Sequence, residues 1–168
     1  PLICAIQCGR FGHVQLLIKG HNVIKSGRTL KEMLNQVLIN CDGISNTPIQ
    51  AAVMAIGGNI KIEEERYKIA HCLVKHGANP AGTPLVYACE IGRSDYVKLF
   101  ISGHDVNESG ITKKETVNQV GRNRNGYRTT PLRAAIANGR FDIVRYLIGD
   151  CKADPSDVKL DGENALHK

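Results

Sequence analysis

The chain has 168 residues, and its 22 Lys and Arg outnumber 16 Asp and Glu to give a formal charge of +6. Hydrophobic content is ordinary, and no apolar run approaches the roughly 20 residues of a membrane-spanning helix, so membrane insertion is not expected. The six cysteines show no Cys-x-x-Cys spacing, which disfavours a zinc ribbon or a disulfide framework. Cys4, Cys72 and Cys89 read as small apolar packing residues of a protein in a reducing compartment, the cytoplasm or the nucleus.

Taken in order, Pro1-Leu-Ile-Cys-Ala opens a first short helix, and Gly12 to Lys19 forms a second. Thr29-Leu-Lys-Glu32 then has capping-box spacing. The apolar positions Leu30, Met33, Leu34, Val37 and Leu38 predict a helix over residues 30–38. Thr47-Pro-Ile-Gln-Ala starts the next helix, whose following turn is stretched by Gly57-Gly58-Asn59-Ile60. The run Glu63-Glu64-Glu65 suits the positive N-terminal end of another helix, which Gly77 stops. Thr83-Pro-Leu-Val-Tyr-Ala begins a third pair, and Thr112-Lys-Lys-Glu115 repeats the capping box. Lys113 and Thr116 stand there where the earlier copy has Leu30 and Met33, predicting a weaker apolar face and a more mobile helix.

The last full pair is the clearest. Thr130 can cap a helix with Pro131 at its first position, where the missing N–H is harmless. Asn138-Gly139 ends it, and Ile143, Val144, Leu147 and Ile148 give the next helix one apolar stripe. Asn164-Ala-Leu-His announces a further copy. Steps between the motif prolines are 47, 36 and 47 residues, and Pro131 to Ala165 is 34. Residues 83 apart also match, as in Asn35-Gln36-Val37 with Asn118-Gln119-Val120 and Thr47-Pro48 with Thr130-Pro131. The pattern is a duplicated two-repeat unit.

These Thr-Pro-Leu openings, at steps near the 33 residues of a plain repeat, resemble the ankyrin repeat. The resemblance implies an all-α solenoid of stacked helix-turn-helix pairs with hairpin inserts, forming one domain over residues 1–168. The repeats fall at about residues 1–20, 43–80, 81–103, 126–155 and, in part, 159–168, with inserts at about 21–42 and 104–125. The chain is expected to be a piece of a longer array. Locally, residues 130–148 resemble the Fem family of ubiquitin-ligase substrate receptors. Leu99 to Asn107 also resembles the ankyrin sites hydroxylated by the asparaginyl hydroxylase.

Signals for catalysis are absent. There is no Gly-x-Ser-x-Gly elbow and no phosphate-cradling Gly-x-x-x-x-Gly-Lys-[Ser/Thr] loop. No two histidines sit at i, i+4, and the glutamate run lacks the alternating ligand spacing of a calcium loop. The expectation is a non-enzymatic protein with no cofactor, no metal and no small-molecule substrate.

The resemblance implies instead a surface that holds another protein, as a scaffold or adaptor, along the hairpins and first helices. The residues before each inter-helix glycine would face that groove: Gln7 and Cys8, Glu90 and Ile91, Ala137 and Asn138, and in the stretched repeat Met54 and Ala55. Between Lys113 and Arg145 eight basic residues face two acidic ones, a net of +6 that equals the charge of the whole chain. Arg122, Arg124 and Arg128 bracket Tyr127 in that window, and Arg133 follows on the next helix. Arginines around an aromatic are common at interface hot spots, and their planar forks suit carboxylates. The expected partner is an acidic or mixed segment of another protein. Alternatives are a regulatory ankyrin domain of a larger enzyme, ubiquitin-ligase receptor or channel, and nucleic-acid binding through residues 113–145. The second lacks the interleaved aromatics of a single-strand platform.

Overall fold

A computed structural model describes residues 1–21, 27–39, 43–55, 59–102 and 112–156. The sequence-predicted partial repeat at residues 159–168, Asn107, Cys41 and the Gly57-Gly58 turn lie outside these residues. The chain divides into two compact units, Pro1–Pro80 and Ala81–Lys168.

The first unit contains α1 (Leu2–Gln7), α2 (Phe11–His21), the insert helix α3 (Leu30–Asn35), and the ribbon β1 (Leu38–Ile39) with β2 (Ser45–Asn46). Helices α4 (Pro48–Met54) and α5 (Ile60–Lys75) complete it. The second unit repeats the order with α6 (Thr83–Ile91), α7 (Ser94–Ser102), α8 (Lys113–Asn118) and the ribbon β3 (Gly121–Arg122) with β4 (Arg128–Thr129). It ends with α9 (Pro131–Ala137) and α10 (Phe141–Gly149). The two ribbons even share a register, Leu38 opposite Asn46 and Gly121 opposite Thr129. The protein is thus mostly helical, and no described helix is long and apolar enough to cross a membrane.

Helix starts follow the capping chemistry. Thr29, Thr47 and Thr112 each accept the N–H three residues on, and Glu32, Gln50 and Glu115 return a bond to the cap. Thr130 and Asn59 cap α9 and α5 through their side-chain oxygens. In the first unit Ile6, Val14, Leu34, Ile49, Ile69 and Leu73 are fully buried. In the second the core is Leu85, Tyr96, Phe100, Val117, Leu132 and Leu147, with Tyr96 edge-on to Phe100 at 5.8 Å. Ala134 and Ala135 of α9 are buried too, small enough to let α9 pack closely on α6.

Several expectations change. α3 stops at Asn35 instead of 38, because Gln36 turns extended (ψ 135) and Leu38 enters the ribbon. In α8 Lys113 is exposed where Leu30 of α3 is half-buried, yet the helix keeps a buried face. Val117 takes the buried place of Leu34, and Thr116 is buried with its hydroxyl donated to the Thr112 carbonyl at 3.1 Å. Cys4, expected to pack, is exposed, whereas Cys72, Cys89 and Cys151 are buried.

The asparagines that recur 83 residues apart have one job in both units. Asn35 Nδ2 donates to the Lys31 carbonyl of its own helix, and Asn35 Oδ1 accepts the Asn79 N–H at 2.7 Å. Asn118 Nδ2 likewise donates to the Lys114 carbonyl, and its Oδ1 accepts the Asp154 N–H at 2.9 Å. Each insert helix is therefore latched to the loop that leaves the last helix of its unit. Asn118→Ala should cost about 1 kcal/mol in urea unfolding. It should also speed hydrogen exchange at the Asp154 amide while leaving that of α6 unchanged.

Gly121 is fixed by contact. A Cβ there would lie 2.4 Å from the Gly82 carbonyl carbon and the Thr83 nitrogen. Backbone cannot yield as a flexible side chain would, so Gly121→Ala should destabilise the second unit by roughly 1–3 kcal/mol. The midpoint of thermal unfolding measures this, with Gly126→Ala, whose Cβ meets nothing within 4 Å, reporting the cost of positive φ without a clash.

Candidate functional site

The site is built on the ribbon of the second unit. Its turn is held by Asn123, whose Oδ1 accepts the N–H groups of Asn125 at 3.0 Å and Tyr127 at 2.9 Å. Asn123 N–H donates to the Tyr127 carbonyl, and Gly126 N–H to the Asn123 carbonyl, both at 2.9 Å. Asparagine side chains commonly stabilise turns in this way. At the base, Arg122 N–H donates to Thr83 Oγ1 at 3.1 Å, and Thr129 and Thr130 are buried. Hydrogen bonds thus hold both the turn and the base of the ribbon.

Glu90 is its anchor. The residue is only 6% exposed, and its carboxylate accepts the Arg124 N–H at 3.1 Å and pairs with Arg124 Nε at 3.4 Å. Its main-chain carbonyl, left over at the end of α6, accepts from Arg140 Nε at 3.3 Å. Neighbouring Tyr87 feels the same cluster. Partial burial and then the Glu90 charge push its phenol above the usual value, with Arg124 pulling the other way. Burying a carboxylate is costly unless a cation and hydrogen bonds compensate it, so Glu90 and Arg124 are mutually dependent.

The remaining residues divide by exposure. Tyr127 is 66% exposed, and Arg122 and Arg128 are exposed beside it. Arg122 Nη1 donates to the Gly126 carbonyl at 2.8 Å, which curls its side chain over the turn. Arg128 makes no hydrogen bond or ion pair among the described residues. Arg133 is half-buried in the first turn of α9, and Asn138 is exposed at its end, with Nδ2 on the Ala134 carbonyl. Ile91 is half-buried and Ala137 exposed.

In the first unit Gln7 and Met54 are half-buried at the ends of α1 and α4, and Cys8 is exposed. Arg66 joins those two helix ends, with Nη2 on the Gln7 carbonyl at 2.9 Å and Nη1 on the Ala55 carbonyl at 3.1 Å. Sequence reasoning missed both Arg66 and the inward role of Glu90. The available signal was positional: each lies among apolar residues on a helix face that must be covered.

Other chemistry is sparse. No group of His, Cys, Asp and Glu suited to a metal occurs among the described residues. A shallow groove of about 330 Å³ lies between α7 and α10. Its Lys98, Asp142, Arg145 and Asp150 alternate in sign, so it presents no single field to a ligand. The Cys89 thiol is held above its usual value by burial, the opposite of an activated nucleophile.

Comparison with known proteins agrees with this architecture. A family described as ankyrin repeats (three copies) matches residues 59–159. Alpha-latrocrustotoxin-Lt1a of Latrodectus tredecimguttatus is 33% identical over 131 residues, covering 75% of this chain. The chain spans 7% of that toxin's length. Threonine-capped helix pairs in both units, and a family match over more than half the sequence, lead to one assignment: this chain belongs to the ankyrin-repeat family, whose members are typically non-enzymatic modules that bind other proteins.

Proposed function

We propose that this chain binds an acidic segment of another protein, as a scaffold or adaptor, through the 121–129 ribbon and the adjoining surface of α9. The observation that carries the reading is the set Arg122, Tyr127 and Arg128, all exposed on a turn already ordered by Asn123. A pre-ordered loop loses little conformational entropy on binding, and arginine and tyrosine are the side chains most often found at hot spots. Arg124 contributes mainly by holding the ribbon to Glu90. Arg133 and Asn138 border the site on α9, while Ile91 borders it on α6. Gln7 and Met54 form a comparable surface in the first unit, where Arg66 ties their helices together. The buried thiols Cys72 and Cys89, acting as apolar packing residues, support placing the chain in a reducing compartment, the cytoplasm or the nucleus.

A labelled Asp/Glu-rich peptide titrated with the purified chain tests this. Association should weaken steeply as ionic strength rises, since exposed charges are screened. The triple variant Arg122→Ala, Tyr127→Ala, Arg128→Ala should lose at least about 2 kcal/mol of binding, as hot-spot removal does, at unchanged helicity. Undiminished affinity in that variant would place the partner elsewhere.

A further inference from the structure

Arg122 and Arg128 are directly opposite each other across the ribbon. The Arg122 N–H points away from β4, to Thr83, so the two form the non-hydrogen-bonded kind of pair. In such a pair the Cβ atoms are about 4.5–5.5 Å apart and the side chains share a face. Like charges placed this way are destabilising. The ribbon does not need them. The first unit has the same ribbon in the same register, and the equivalent pair there is Ile39 opposite Ser45, both exposed. The buried carboxylate that meets the turn of the ribbon, Glu90, is already paired with Arg124. Among the described residues Arg128 has no counter-charge, and the Arg122 guanidinium bonds only the neutral Gly126 carbonyl.

We propose that the Arg122–Arg128 pair holds one dianionic group, a phosphomonoester on a serine, threonine or tyrosine of the partner's acidic segment. This rests on the reading that the ribbon binds such a segment. A carboxylate brings one charge and two acceptor oxygens. A phosphomonoester brings about 1.5–2 charges and three oxygens, enough to engage two guanidinium forks at once.

The experiment uses the full chain and Asp/Glu-rich peptides that differ only at a central phosphoserine, glutamate or serine, read by fluorescence anisotropy. The phosphoserine peptide should bind at least about tenfold more tightly than the glutamate peptide. Arg122→Lys and Arg128→Lys keep the charge but lose the fork, and each should shrink that ratio to about twofold without lowering the unfolding temperature. Inorganic phosphate should compete with the phosphoserine peptide in the native chain and lose that ability in the lysine variants. Equal affinity for phosphoserine and glutamate peptides would overturn the dianion site while leaving the acidic-segment reading standing. Failure of all three peptides to bind would overturn both. A single-stranded oligonucleotide binding more tightly than the phosphopeptide would overturn the proposal in favour of a nucleic-acid backbone.

Discussion

The helices that open each pair have six to nine residues, too few to persist in water by themselves. Everything else in the chain answers that shortage. Threonine caps and a first-turn proline lower the cost of starting α4 and α9, and buried alanines let first helices pack side by side. Carbonyls left at the ends of α1, α4 and α6 receive guanidinium groups, from Arg66 in the first unit and from Arg140 in the second. Arginine suits the role because one planar fork can reach two carbonyls from different helices, as Arg66 does. Within each unit, stability therefore rests on contacts between its two neighbouring repeats.

The ribbon of the second unit shows how a surface can be charged without loosening the fold. Its three arginines have different surroundings. Arg124 is drawn down onto a buried carboxylate, Arg122 is folded over its own turn, and Arg128 is left to solvent. The contact of Arg124 with the buried Glu90 carboxylate fixes the direction of the ribbon, and Asn123 fixes its tip. The exposed side chains of the ribbon therefore project from a backbone whose own hydrogen bonds are already made. The equivalent ribbon of the first unit keeps the strand register and carries exposed Ile39, with exposed Ile44 beside it. The two surfaces differ in chemistry on one scaffold.

Much of this was legible because helix starts are written locally. A threonine three residues before Glu or Gln names both the cap and its reciprocal bond, and α3, α4 and α8 begin where that spacing says. Ends and strands were harder. Two-residue strands are too short to show alternation, so β1 was read as a continuation of α3. The asparagines of the insert helices stood out as a shared feature, yet their partners lie 44 and 36 residues away. Periodicity cannot reveal a contact of that range. Glu90 was read as groove-facing from its place before the inter-helix glycine, yet it is buried, and its cation is 34 residues further on. The composition of the basic segment marked the candidate surface, while the roles within it depended on tertiary pairing.

The latch asparagines have a consequence for how such a chain diversifies. Asn35 and Asn118 each fasten an insert to a loop of the same unit, so the fastening is copied whenever an 83-residue segment is copied. A duplicate arrives already holding its own decoration, and the exposed ribbon positions are free to change without disturbing what secures them. Ile39 and Ser45 in one copy, Arg122 and Arg128 in the other, are the record of that freedom. The unit that repeats in this chain is two repeats with their insert, and its ribbon keeps one register while its exposed side chains change.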